Sequence, residues 1–133
     1  MIVFFDVNIV IYAVEDPPTF GPRAKARITS STAAGDMFVV SHLIRMECLV
    51  GPLRTGSAVL LSAYNAFFTS SSVRIADITA AICVRAASIR AIYGFAAMHA
   101  LHLAAALENG YDVFLTNDAR LSRFSGITVE VLP

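Results

Sequence analysis

Short runs rich in β-branched and aromatic residues recur at residues 2–5, 37–40, 73–76, 112–115 and 127–131, each bounded by Asp, Gly, Ser or Thr. Runs of this length, apolar on both faces, read as buried strands of a parallel sheet. Between them the apolar positions change to helical spacing. Residues 7–14 give a short helix stopped by Asp16-Pro17-Pro18, and residues 20–34 give a longer one ended by Gly35-Asp36, with Arg23, Lys25 and Arg27 toward solvent. Ser41 is placed to cap a helix in which Leu43, Ile44, Glu47 and Cys48 recur up to Gly51-Pro52. Further helices are expected over 57–68, over 79–93 with Ile82, Ala86, Ile89 and Tyr93 on one stripe, and over 98–108. A polar turn carrying Leu121 and Phe124 precedes the last strand. Strands alternating with helices predict an α/β protein: a three-layer α/β/α sandwich around a mainly parallel sheet. Residues 1–133 read as a single domain without repeat or linker.

The pattern also marks a site. Asp6 follows the run Ile2-Val3-Phe4-Phe5, so the first strand carries a carboxylate to its carboxyl tip, where open α/β sheets bind ligands. A second acid, Asp118, follows the strand at 112–115 through Thr116-Asn117. Asp112 opens that same strand and therefore falls on the opposite edge, out of reach. Glu47 lies on the helix after the second strand between the apolar Met46 and Cys48. A carboxylate in such surroundings needs a cation, hydrogen bonds or water. Acids at strand tips suggest a shared metal.

Composition sharpens this reading. Of the 133 residues 56% are hydrophobic and mean hydropathy is +0.66, which suits a sheet covered on both faces and an apolar subunit interface, so an oligomer is expected. Ten cations cancel ten anions, so bulk charge does not announce a nucleic-acid binder. Nine of the ten cations are Arg, the better partner for phosphate. Cys48 and Cys83 form no metal or redox motif and read as buried thiols in a reducing compartment. Residues 56–73 and 91–107 are free of charge but broken by Ser, Asn, Gly or His, so no membrane span and no secretory signal are expected, and the location expected is cytoplasmic.

Four segments taken in order, Phe5-Asp6-Val7-Asn8-Ile9-Val10-Ile11-Tyr12, Ser41 to Glu47-Cys48-Leu49, Ala100-Leu101-His102-Leu103-Ala104-Ala105-Ala106 and Leu115-Thr116-Asn117-Asp118, resemble the motifs of PIN-domain ribonucleases, most of all the VapC-type toxins of toxin–antitoxin pairs. The resemblance covers essentially the whole chain. It implies a metal-dependent hydrolase in which Asp6, Glu47 and Asp118 hold Mg²⁺ or Mn²⁺ for cleavage of RNA phosphodiesters, with Asn8, Thr116 and Asn117 in support. It also implies a homodimer and a small VapB-like antitoxin. Arg23, Lys25, Arg27, Arg120 and Arg123 are candidates for RNA backbone contacts, and the apolar helix at 58–68 for partner contacts.

The chain departs from the family pattern at two positions. Where the family has a further Asp before the Ala-Leu-His-Leu-Ala stretch, this chain has His99, which is either a fourth ligand, favouring Mn²⁺ over Mg²⁺ and lowering the rate, or a non-ligating residue at a helix start. Val7 replaces a hydroxyl residue beside Asp6. His102 fits the resemblance as part of the packed helix. A dehalogenase-type phosphatase would need Asp where Asn8 stands, and a Rossmann-type binder would need a Gly-rich first turn. The alternative left open is a catalytically weak PIN-like domain that binds an antitoxin or RNA.

Overall fold

The computed structural model describes residues 1–133. Its elements, in chain order, are β1 (Ile2–Phe5), α1 (Val7–Glu15), α2 (Phe20–Ala33), β2 (Met37–Ser41), α3 (His42–Thr55), α4 (Ala58–Thr69), β3 (Val73–Ala76), α5 (Ala80–Tyr93), α6 (Ala97–Glu108), β4 (Val113–Thr116), a 3₁₀ turn (Ala119–Arg123) and β5 (Thr128–Val131). The strands form one sheet in the order β3-β2-β1-β4-β5. All four pairings are parallel, with Phe4 opposite Val39 on one side and opposite Phe114 on the other.

β1 is central because it can be: Val3, Phe4 and Phe5 are buried and bring no polar side chain into the layer. The Phe4 ring stacks on Phe114 at 5.6 Å and on Tyr111 at 6.2 Å between centroids. α6 turns Ala100, Leu103, Ala104, Ala105 and Ala106 inward, and these mostly small side chains let its backbone lie close to the core. α5 packs against α6, whereas α1 to α4 form the other helical group, giving the three-layer α/β/α arrangement.

Two local expectations need correction. α3 does not stop at Gly51-Pro52. It continues to Thr55 with Pro52 buried inside it, and the stop is Gly56, whose left-handed backbone (φ 68°) lets its N–H reach the Pro52 carbonyl. Of the two thiols only Cys48 is buried; Cys83 is exposed, because Ile82, Ala86 and Ile89 fix the inward face of α5.

A close contact sets the angle at which α2 leaves α1. Asp16 ends α1 in the left-handed region (φ 53°), and Gly21 lies so near it that an added Cβ would stand 2.3 Å from Asp16 Oδ1 and 2.8 Å from its backbone. Lys25 Nζ secures Asp16 at 2.8 Å.

Candidate functional site

The chain runs β1, β2, β3 outward on one side of the sheet and returns to the other side for β4 and β5. Direction therefore switches between β1 and β4, and open α/β sheets bind ligands at the carboxyl edge of such a point. Asp6 lies there. It is the N-cap of α1, accepting from the Val7 amide at 2.8 Å through Oδ1, while Thr116 Oγ1 donates to its Oδ2 at 2.7 Å. The carboxylate is wholly buried, and these two donors offset the several kcal/mol that an unpaired buried acid would cost.

The Thr116-Asn117-Asp118 turn is fastened to the same corner. Thr116 Oγ1 also accepts from the Asp118 amide at 3.0 Å, Asn8 Oδ1 accepts from the Asn117 amide at 3.1 Å, and Asn117 Nδ2 donates to the Tyr12 hydroxyl at 2.8 Å. Asn8, Thr116 and Asn117 thus join α1 to the end of β4. Asp112, at the amino edge, accepts from the Ile2 amide at 2.7 Å and has no part in this corner.

Asp118 caps the 3₁₀ turn and is gripped by a fork: Arg120 donates from Nε to Oδ1 at 2.9 Å and from Nη2 to Oδ2 at 2.7 Å. Those hydrogen bonds hold the Asp118 carboxyl below its usual range, against the opposing effect of burial. His99 Nδ1 is 3.9 Å from Asp118 Oδ2. The fork is readable in the sequence as Asp-x-Arg after a strand, a signal that the comparison of acids alone passes over.

Glu47 reaches a different partner. Its Oε1 accepts from His102 Nε2 at 2.6 Å, and the imidazole is wholly buried with Nδ1 unpartnered. His102 is therefore more than packing. A polar ring on the Ala-rich inner face of α6 needs a polar neighbour, and that need was the available clue.

A PIN domain model matches residues 3–127. The chain belongs to the PIN domain family. No curated protein sequence matches it. Among solved structures this PIN domain is similar in fold to the VapBC2 complex of Rickettsia felis bound to a promoter DNA fragment, at 18% identity with all of both chains covered and a TM-score of 0.79. It is similar to VapC20 of Mycobacterium tuberculosis, a sarcin–ricin loop cleaving toxin, at 17% identity over 95% of this chain and 98% of that one, TM-score 0.77. A toxin–antitoxin complex from Klebsiella pneumoniae matches at 20% identity over 95% of each chain, TM-score 0.70.

By donor type, the oxygens of Asp6, Glu47 and Asp118 suit a hard divalent cation, and His99 adds a nitrogen. By position, this PIN domain gathers no three His, Cys, Asp or Glu side chains into a group able to hold an ion. Each acid is turned to a protein partner instead: Asp6 to Thr116, Glu47 to His102, Asp118 to Arg120. The donors fit in kind, and Arg120 stands on the oxygens that an ion at Asp118 would use.

The expected RNA-contact cations divide into two groups. Arg27 ties α2 to β5 through Glu130 at 2.6 and 3.0 Å, Lys25 pairs with Asp16, and Arg23 donates to the Pro133 carbonyl at 3.0 Å. Arg120 and Arg123 line one pocket together with His99, and Arg120 also grips Asp118.

Proposed function

We propose that this PIN domain is a metal-dependent endoribonuclease of the VapC type, acting as the toxin of a toxin–antitoxin pair. The observation that carries the reading is the buried Asp6 carboxylate, held between the Val7 amide and the Thr116 hydroxyl at the topological switch point. In a nuclease family, a fully buried acid kept at the carboxyl edge of the switch point, with its donors already supplied by the chain, is a candidate for the chemistry. Asp6, Glu47 and Asp118, with His99, are the residues that would hold Mg²⁺ or Mn²⁺. When bound, such an ion supplies acidification of a water and neutralisation of charge on the phosphate.

The chain's own residues prepare the site. Thr116 fixes one oxygen of Asp6 and leaves the group without freedom to rotate. His102 fixes one oxygen of Glu47. Asn8 and Asn117 hold the Asp118 turn against α1. With His99 in place of an acid, the ligand set carries one negative charge fewer, which lowers metal affinity and rate and favours Mn²⁺.

The same reading includes a VapB-like antitoxin partner, a homodimer, a single domain over 1–133 and a cytoplasmic location. Its supports are the fold shared with toxin–antitoxin complexes, the exposed Met46, Leu53 and Val59 of α3 and α4, and the fact that no helix is long and apolar enough to cross a membrane.

A second reading rests on the Arg120 fork: an Asp118 already neutralised within the chain suits a weakly catalytic domain that binds RNA or an antitoxin. The deciding experiment is RNA cleavage in Mn²⁺ by the native chain and by Asp6→Asn. Asn caps helices as well as Asp does, so the variant folds. The nuclease reading expects cleavage that falls at least about 100-fold in the variant. RNA binding without turnover in either protein selects the second reading.

A further inference from the structure

Beside Asp118, and sharing His99 with the acidic corner, a pocket of about 290 Å³ opens at the amino end of α6. Its wall includes Phe95, Ala96, His99, Arg120 and Arg123, and no acid. Arg123 is set in place rather than free: its guanidinium lies 4.9 Å over the Phe95 ring, and Nη2 donates to the Tyr93 carbonyl at 3.0 Å. It has no carboxylate partner, so one full positive charge faces the cavity with donors to spare. Arg120 spends Nε and Nη2 on Asp118 and keeps Nη1. Ala96, the N-cap of α6, gives its first turn no side-chain acceptor, so the positive end of a 12-residue helix adds to the same wall. Position 99 matters as well. A carboxylate there would repel an anion from this cavity, whereas an imidazole does not.

We propose that this pocket binds a phosphate group of a single-stranded RNA, next to the one presented to the Asp6 corner. Planar guanidinium forks match phosphate oxygens in pairs, and the amides at the start of α6 supply the remaining donors. The naming of RNA as the source of the phosphate rests on the ribonuclease reading above; the affinity for phosphate does not.

The test is amide NMR on the labelled full chain in EDTA, titrated separately with inorganic phosphate, with AMP and with a short single-stranded RNA. The expected result is saturable movement of the Ala97, Met98 and His99 amides with phosphate, and tighter binding of RNA than of AMP. Arg123→Gln weakens both phosphate and RNA about tenfold. Because Arg123 also packs on Phe95, a second variant is needed. Ala96→Asp places a capping carboxylate in the anion's position, so it raises the Tm of the protein while weakening phosphate and RNA by a similar factor. The proposal is overturned if phosphate leaves the α6 amides unmoved, if AMP binds as tightly as RNA, or if Ala96→Asp leaves RNA affinity unchanged. Binding as expected with no cleavage in Mn²⁺ upholds the pocket and removes the ribonuclease reading instead.

Discussion

Thr116 Oγ1 donates to Asp6 Oδ2 at 2.7 Å across the junction of β1 and β4, and the same oxygen accepts from the Asp118 amide at 3.0 Å. One hydroxyl therefore sets both acids of the corner. Thr116→Val keeps the shape and removes the oxygen, leaving a buried carboxylate short of a donor. Urea unfolding should show a loss of about 1–3 kcal/mol, with Thr116→Ser close to native. Under the nuclease reading, RNA cleavage falls with Val and is restored with Ser.

His102 and Glu47 make a second such pair, at 2.6 Å. His102→Leu should lower Mn²⁺ affinity, followed by electron paramagnetic resonance, about 10–100-fold, and His102→Gln should recover part of it because an amide can still donate. Equal Mn²⁺ affinity in all three proteins would remove Glu47 from the proposed ligand set.

At position 99 the expectation runs the other way. His99→Asp puts an anionic oxygen donor at the position whose imidazole Nδ1 now lies 3.9 Å from Asp118 Oδ2, so Mg²⁺ affinity should rise more than Mn²⁺ affinity. Calorimetric titration of both ions into both proteins measures this, and an unchanged Mg²⁺ affinity counts His99 as a bystander.

Gly21→Ala tests the junction of α1 and α2, away from the site. A Cβ there meets the Asp16 side chain at 2.3 Å, which can swing aside, and its backbone at 2.8 Å, which cannot. A destabilisation of about 1–3 kcal/mol is expected in urea melts, with no change in metal affinity.

Alkaline stability carries the mark of two buried weak acids. Burial, and then the nearby charges of Glu47 and Glu15, push the Cys48 thiol up to about 12, and burial with the hydrogen bond to Glu15 raises the Tyr64 phenol further. In the unfolded chain such groups ionise near 8.5 and 10, so their contribution is intact below about pH 8.5 and is lost as pH rises toward the folded values. Urea midpoints measured from neutral to alkaline pH should decline, and the decline should be shallower in Cys48→Ala and in Tyr64→Phe.

Most of the fold was legible because buried parallel strands advertise themselves. β1 is apolar at every position and β4 at every position but its last, Thr116, and Ser41, Ser57 and Thr79 cap the helices that follow them. The end of α3 was misread because Gly51 and Pro52 are helix breakers by propensity, yet packing around a buried Pro52 overrides propensity and leaves the break to Gly56. At the site, Asp6 could be read from its strand tip, and Thr116 beside it and Asn8 on the Asn117 turn from motif order. The partners of Glu47 and Asp118 left only weaker signals, a polar ring on the Ala-rich face of α6 and an Asp-x-Arg turn, because His102 lies 55 residues from Glu47 and the Arg120 fork depends on a turn geometry that no periodicity reports.

The central place of β1 has a consequence for synthesis on the ribosome. Asp6 emerges before the rest of its corner, and its neighbour Thr116 comes 110 residues later, after β2 and β3 on the other flank of β1. An incomplete nascent chain that stops before β4 lacks the residue that locks the acid in place, so the corner can form only after nearly the whole sheet has been made.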